Sequence, residues 1–240
     1  MYLLRLIYSM LCWLLVCFAF FFHFLIAGIF SWVFPDRQWA HMRISVPFIR
    51  YLCALLGIRI KIMGKENLPT TGPIIFMSNH QSLFDILILL TVIPIKFSFI
   101  AKKQLLNIPF LGWDIRLQGH FSIDRENPIV AARKLETIKS KVSKGRSLLL
   151  FPEGTRSADG SIKPFKRGGF LIAQETGTPI IPIYINGAAK IIRKKTLMVT
   201  PGEVQVHIGT LISVSVSTDK TYTQELMDKT RNQIINFQQN

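Results

Sequence analysis

Acidic residues are scarce in this 240-residue chain, with 14 Asp and Glu against 29 Lys and Arg and a formal net charge of +15. Such an imbalance suits an anionic partner, either a lipid surface or a nucleic acid. Cysteine is scarcer still. Cys12, Cys17 and Cys53 are an odd number without CxxC spacing, which gives no disulfide framework and no zinc site. They read as small hydrophobes, a usage consistent with a reducing compartment. His23, His41 and His207 are scattered, and no pair has metal-ligand spacing. No helix-turn-helix, finger or ribonucleoprotein signature accompanies the basic charge, so nucleic acid is not expected as a partner. A GxSxG elbow, internal repeats and low-complexity segments are also missing.

Charge itself is missing from Leu6 to Phe34, a run longer than the roughly 20 apolar residues a membrane helix needs. The hydrophobic region of a signal peptide would be about 7–15 residues. The run is therefore expected to anchor the chain in a membrane. Arg5 alone precedes it, whereas Arg37, Arg43, Arg50, Arg59 and Lys61 follow, so a spanning helix would leave the bulk of the chain in the cytosol. Gly28 and Ser31 equally permit a bent hairpin inserted from one side. The segment 44–56, with Arg50 and Pro47, reads as an amphipathic helix at the bilayer surface or packed on the domain, the surface being preferred. The basic cluster Lys190, Arg193, Lys194, Lys195 reads first as a solvated face. Anchor and surface helix together occupy residues 1–58, and the remaining 59–240 form one domain.

Within that domain the elements alternate. Strands are expected at 59–63, 73–78, 96–101, 120–124, 147–151, 179–185 and 204–209. Helices are expected at 83–90, 109–117, from 128 to Gly145, at 168–176 and from about 219 to 237. The alternation implies an α/β fold, a mixed central sheet flanked by helices. Sites in such folds gather in loops at the carboxyl ends of strands. His80, Asp124 and Glu153 all fall at or just after predicted strand ends.

His80 and Asp85 are separated by five positions, about 140° on an ideal helix, so they cannot share one helix face. They can meet if His80 lies in a loop and Asp85 in the first turn of the helix that follows. Ser82 with Asp85 three positions on resembles a capping box. Asp85 could then hold His80 Nδ1 and leave Nε2 free to take a proton. The plainer alternative is an ordinary N-cap beside a surface histidine. Downstream, Phe151-Pro152-Glu153-Gly154-Thr155-Arg156-Ser157 sets a carboxylate, a glycine and a guanidinium in one loop.

Four blocks in order carry a resemblance. They are Asn79-His80-Gln81-Ser82-Leu83-Phe84-Asp85, Gly119-His120-Phe121-Ser122-Ile123-Asp124-Arg125, Phe151 to Ser157, and Ile181-Pro182-Ile183-Tyr184. Together they resemble the glycerolipid acyltransferase family, most closely its 1-acylglycerol-3-phosphate acyltransferases, over roughly Ile74 to Ile185. The resemblance implies that His80, poised by Asp85, deprotonates the free hydroxyl of lysophosphatidic acid. That oxygen attacks the thioester of acyl-CoA or an acyl carrier protein and yields phosphatidic acid, without an acyl-enzyme and without a cofactor. Arg156 and Arg125 are the implied phosphate ligands, since a guanidinium binds two phosphate oxygens at once. Lys102 matches a family lysine that also reaches the phosphate, although Lys103 is adjacent and Gln104 stands where an acidic residue is common.

Glu153 would accept a hydrogen bond from a glycerol hydroxyl or orient Arg156, with Gly154 and Thr155 beside it, and Pro182 would shape the pocket wall. Expected partners are membrane lipid, lysophosphatidic acid and the acyl donor, with the catalytic domain facing the cytosol. Several alternatives stand open. Within the same chemistry, the alternative acceptor is glycerol-3-phosphate or a lyso-ornithine lipid. Ser82 could act as a nucleophile, or His80 and Asp85 could serve a metal-dependent hydrolase. Outside enzymes, the chain could be a basic membrane-surface binding protein.

Overall fold

A computed structural model describes residues 2–34, 36–124, 127–157, 159–192 and 198–239. Among them a seven-stranded sheet forms the centre, in the order β1-β7-β6-β2-β5-β3-β4. The strands are β1 (Ile58–Met63), β2 (Ile75–Ser78), β3 (Phe97–Lys102), β4 (Phe121–Ile123), β5 (Ser147–Leu150), β6 (Ile180–Asn186) and β7 (Gly202–Ile208). Strands β6, β2, β5, β3 and β4 run parallel, while β7 is antiparallel to β6 and carries β1 parallel to itself. The expected mixed sheet is therefore present, antiparallel at one joint.

Strands β2 and β5 are buried on both faces, and their side chains alternate between two cores. Phe76 and Leu149 enter one core, whereas Ile75, Met77, Leu148 and Leu150 enter the other. That is the period-2 geometry of a strand covered on both sides. Helices α2 (Arg37–Leu55), α3 (Phe84–Val92) and α4 (Leu111–Leu117) lie over the first face. The opposite face carries α5 (Pro128–Ser143), α6 (Gly168–Thr176) and α8 (Lys220–Gln239). Helix α7 (Ala188–Ile191) is one short turn after β6. Asn127 caps α5 through Val130 N–H at 3.1 Å, with Pro128 at the first turn, as the Asn-Pro pair predicts.

The chain leaves β2 through α3 toward β3 on one side, and leaves β5 through α6 toward β6 on the other. Right-handed crossovers in opposite directions put α3 and α6 on opposite faces. The connections that leave the adjacent strands β2 and β5 therefore part to opposite faces at the carboxyl ends, the place where an open α/β sheet forms its binding crevice.

Helix α1 (Tyr2–Val33) contains a segment, Leu6–Phe30, long and apolar enough to cross a membrane. It is nonetheless tied to the domain along its length. Ser9 Oγ accepts from Val199 N–H at 3.0 Å, and Tyr8 Oη donates to the Leu56 carbonyl at 3.2 Å. Midway, His23 Nε2 pairs with Ser45 Oγ at 3.1 Å and its ring stacks on Phe48. Phe24 meets Phe110 and Trp113, and beyond the helix Asp36 pairs with Lys96. The outward face, with Leu3, Met10, Leu14, Phe18 and Trp32, is exposed.

Helix α2 starts at Arg37, earlier than the expected 44, and does not lie free at a surface. Ile49, Leu52, Cys53 and Leu56 are buried in the first core. Full burial of a large apolar side chain is worth about 1.5–3 kcal/mol, enough to fix the helix on the domain. Cys12 and Cys53 are buried hydrophobes as expected, and all three thiols are free. Of the Lys190 cluster, Lys190 lies in α7, while 193–195 lie outside the described residues.

Candidate active site

His80 follows β2 by two residues, in the loop that leads into α3, and the first turn of α3 brings Asp85 back beneath it. His80 Nδ1 lies 2.7 Å from Asp85 Oδ2. The same oxygen accepts the backbone N–H groups of Gln81 at 2.7 Å and Ser82 at 2.9 Å. Asp85 is fully buried, whereas the His80 side chain keeps 17% of its surface. A carboxylate held by three donors cannot swing away, and it fixes the proton on Nδ1 so that Nε2 presents a lone pair. The expected capping box forms in half. Asp85 reaches back to Ser82 N–H, but α3 begins only at Phe84, and Ser82 Oγ meets Phe84 N–H at a long 3.4 Å.

The β5 loop closes on the β2 loop. Glu153 is 3% exposed. Its Oε1 accepts His80 N–H at 2.9 Å, and its Oε2 accepts Lys163 N–H at 3.1 Å. Ser157 N–H donates to the His80 carbonyl at 2.8 Å. Both backbone groups of His80 are thus held by the Phe151–Ser157 segment, and the imidazole stacks on Phe151 with centroids 4.0 Å apart. Burial pushes the Glu153 carboxyl above its ordinary value, opposed by the two N–H donors. On the other side, Asn79 splices β2 to β6. Its Nδ2 donates to the Ile185 carbonyl at 2.9 Å and its Oδ1 accepts Ile185 N–H at 2.7 Å.

The remaining expected residues sit at stated places on this frame. Gly154 holds a φ of +70°, a conformation that favours glycine, and packs against the Lys166 stem. Thr155 is exposed and Arg156 half-buried in the same loop, where Lys163 Nζ donates to the Arg156 carbonyl at 3.2 Å. Lys102 ends β3, exposed at the same sheet edge and two strand spacings from β2, about 10 Å. Its neighbour Lys103 pairs with Asp124 at 3.2 Å across the ends of β3 and β4. Arg125 lies outside the described residues. Pro182 is buried inside β6, four positions before its carboxyl end. Among the described residues no group of three or more His, Cys, Asp or Glu is placed to hold a metal ion.

Sequence reasoning passed over Asn79 and Phe151 and did not foresee that Glu153 braces the histidine loop. For Asn79 a signal existed: a polar side chain at the end of a fully buried strand needs a backbone partner.

Residues 59–186 match the family model described as Acyltransferase. The chain is 33% identical over 217 residues to a 1-acyl-sn-glycerol-3-phosphate acyltransferase of Saccharomyces cerevisiae, covering 89% of this chain and 71% of the yeast protein. It is 40% identical over 149 residues to the chloroplastic BAT2 acyltransferase of Brassica napus, covering 60% of this chain but only 43% of that longer protein. The crystal structure of the 1-acyl-sn-glycerophosphate acyltransferase PlsC from Thermotoga maritima superposes with a TM-score of 0.81 at 25% identity, covering 96% of both chains. By sequence and by fold, this chain belongs to the acyltransferase family.

Proposed function

We propose that the protein transfers an acyl group to the free hydroxyl of a 1-acylglycerol-3-phosphate and so forms phosphatidic acid. The observation that carries the reading is the His80–Asp85 pair, 2.7 Å apart at the crevice between β2 and β5. The acceptor hydroxyl docks against Nε2, which takes its proton as the oxygen attacks the thioester carbonyl of the donor. The tetrahedral intermediate collapses with cleavage of the C–S bond, and the thiolate recovers the proton from the imidazolium. Asp85, hydrogen-bonded to Nδ1, stabilises that imidazolium. General-base assistance of this kind contributes about 10²–10⁴-fold. The donor, acyl-CoA or acyl carrier protein, is a substrate, and no cofactor enters.

Glu153 acts on the histidine through the backbone, a positioning role that the two N–H contacts support over direct contact with the glycerol. Arg156, on the same loop, and Lys102, at the same sheet edge, are the phosphate ligands of this reading, and Arg125 completes them. Helix α1 is bonded to the domain near its start and in its middle, and is pinned just past its end by the Asp36–Lys96 pair. We infer that it lies along the domain with its outward face in one leaflet, and that the site faces the cytosol. The single-chain acceptor then reaches the crevice from the bilayer.

Thiol release by the detergent-purified protein, with product identified by mass, tests the acceptor. Phosphatidic acid formed from lysophosphatidic acid, with little transfer to glycerol-3-phosphate or a lyso-ornithine lipid, is the expected result. Transfer to glycerol-3-phosphate alone would keep the chemistry and move the enzyme one acylation earlier.

A further inference from the structure

The sheet edge opposite the crevice carries a second concentration of charge. A cavity of about 1140 Å³ opens where the chain enters β2, β3 and β5, and Arg43, Arg50, Lys65 and Lys96 line it. A second cavity, of about 820 Å³, shares Lys96, Gly145 and Ser147 with the first and adds Lys141, Lys144 and Arg146. The two form one groove along the amino ends of the parallel strands, with seven basic side chains. Asp36 is the acid beside them and pairs with Lys96. Arg50 is braced by the Thr91 carbonyl at 2.8 Å, which sets its guanidinium at the rim. Seven basic side chains along one groove give a positive potential that favours an anionic occupant.

The position of the groove identifies that anion. Helix α1 ends there: Asp36, three residues past its last turn, lines the groove, and Trp32, Val33 and Phe34 just before it are exposed, Trp32 at 88%. An apolar stripe ending in an exposed tryptophan beside clustered Lys and Arg is the arrangement of a headgroup-level surface. We propose that this amino-edge groove binds the phosphate-bearing headgroup of an anionic bilayer phospholipid, at a site separate from the catalytic crevice. The proposal rests on the membrane placement of α1 given above.

Phosphatidylglycerol is titrated onto the full-length protein in detergent, beside phosphatidylcholine and inorganic phosphate. The comparison includes the triple variant Lys65→Gln/Lys141→Gln/Lys144→Gln and a control triple, Lys134→Gln/Lys220→Gln/Lys229→Gln, of lysines outside the groove. Each nearby basic residue is worth about five-fold in affinity for an anionic surface. The groove variant is expected to lose roughly one-hundred-fold in phosphatidylglycerol affinity, with the control triple and His80→Ala near wild type. Equal affinity in the groove and control triples overturns the proposal, and so does inorganic phosphate binding as tightly as the lipid. Loss of binding to an acidic carrier protein, with lipid affinity intact, would likewise overturn it in favour of a protein partner. Flotation with neutral vesicles is scored separately, because its failure contradicts the placement of α1 and leaves the detergent titration to decide the groove.

Discussion

At the scale of single residues, the site depends on one carboxylate oxygen that accepts three donors and one carboxylate that spans two loops. Asp85→Asn, with its carbonyl oxygen in the place of Oδ2, keeps an acceptor for the Gln81 and Ser82 N–H groups and for His80 Nδ1–H but removes the charge that stabilises the imidazolium. Turnover should fall by about 10²–10⁴-fold, close to the loss on removing the imidazole, and steady-state thiol release measures it. Glu153→Gln leaves either His80 N–H or Lys163 N–H without its acceptor, at a cost of about 1–3 kcal/mol. Chemical denaturation should show that loss, and kcat should fall more than KM rises, since the base is displaced while the acceptor pocket persists. The pH dependence has a definite sign. The Glu153 carboxyl titrates above its ordinary 4.5 because it is buried. Its ionised form is therefore disfavoured on folding, fully so above the raised value, and that penalty fades as pH falls toward 4.5. Relative to Glu153→Gln, the wild type should gain stability across that window on acidification. A difference that is flat with pH would contradict the burial argument.

Elements bring these residues together, and here the sequence was informative to different degrees. The alternation of apolar runs predicted all seven strands because each buried strand is short, continuous and followed by turn residues. Strand ends located His80 and Glu153 for the same reason. The order of strands was not readable, since β5 inserts between β2 and β3 through contacts remote in sequence. Helix α2 misled because Arg43 and Arg50 in an apolar segment suggest an amphipathic helix at the bilayer surface. Yet its buried stripe of Ile49, Leu52, Cys53 and Leu56 meets α3 and β1, a contact that periodicity alone cannot assign to lipid or to protein. The Glu153 brace was hidden because backbone N–H groups have no letter in the sequence. Asn79 is the element-scale test. Asn79→Ala removes both links between β2 and β6 beyond Ser78 and strands a buried N–H and C=O, each at about 1–3 kcal/mol. A drop in the denaturation midpoint with unchanged slope is expected, together with slower turnover because the loop that carries His80 loses its anchor.

For the whole molecule, the consequence is an α/β domain joined side-on to an apolar helix. The contacts of α1 with Val199, Ser45 and Phe110 spread along it, and the Asp36–Lys96 pair follows just past its end. A helix so attached carries the domain with it wherever its exposed stripe is buried. The protein should remain with membranes after washing in high salt and leave them only with detergent, because apolar contact is not screened by ions. Sedimentation after each wash checks this. Release by salt alone would mean that the basic surface, and not α1, holds the protein.

The measurement that tests the account most directly is thiol release from acyl-CoA or acyl carrier protein, driven by lysophosphatidic acid, for the wild type and His80→Ala, with vesicle flotation of both. The account predicts phosphatidic acid from the wild type, a loss of at least about 10²-fold in the variant, and equal flotation of the two. Variant activity within a few-fold of wild type would contradict His80 as the base. Flotation without transfer by the wild type, with either donor, would contradict the enzyme reading and leave a membrane-surface binding protein.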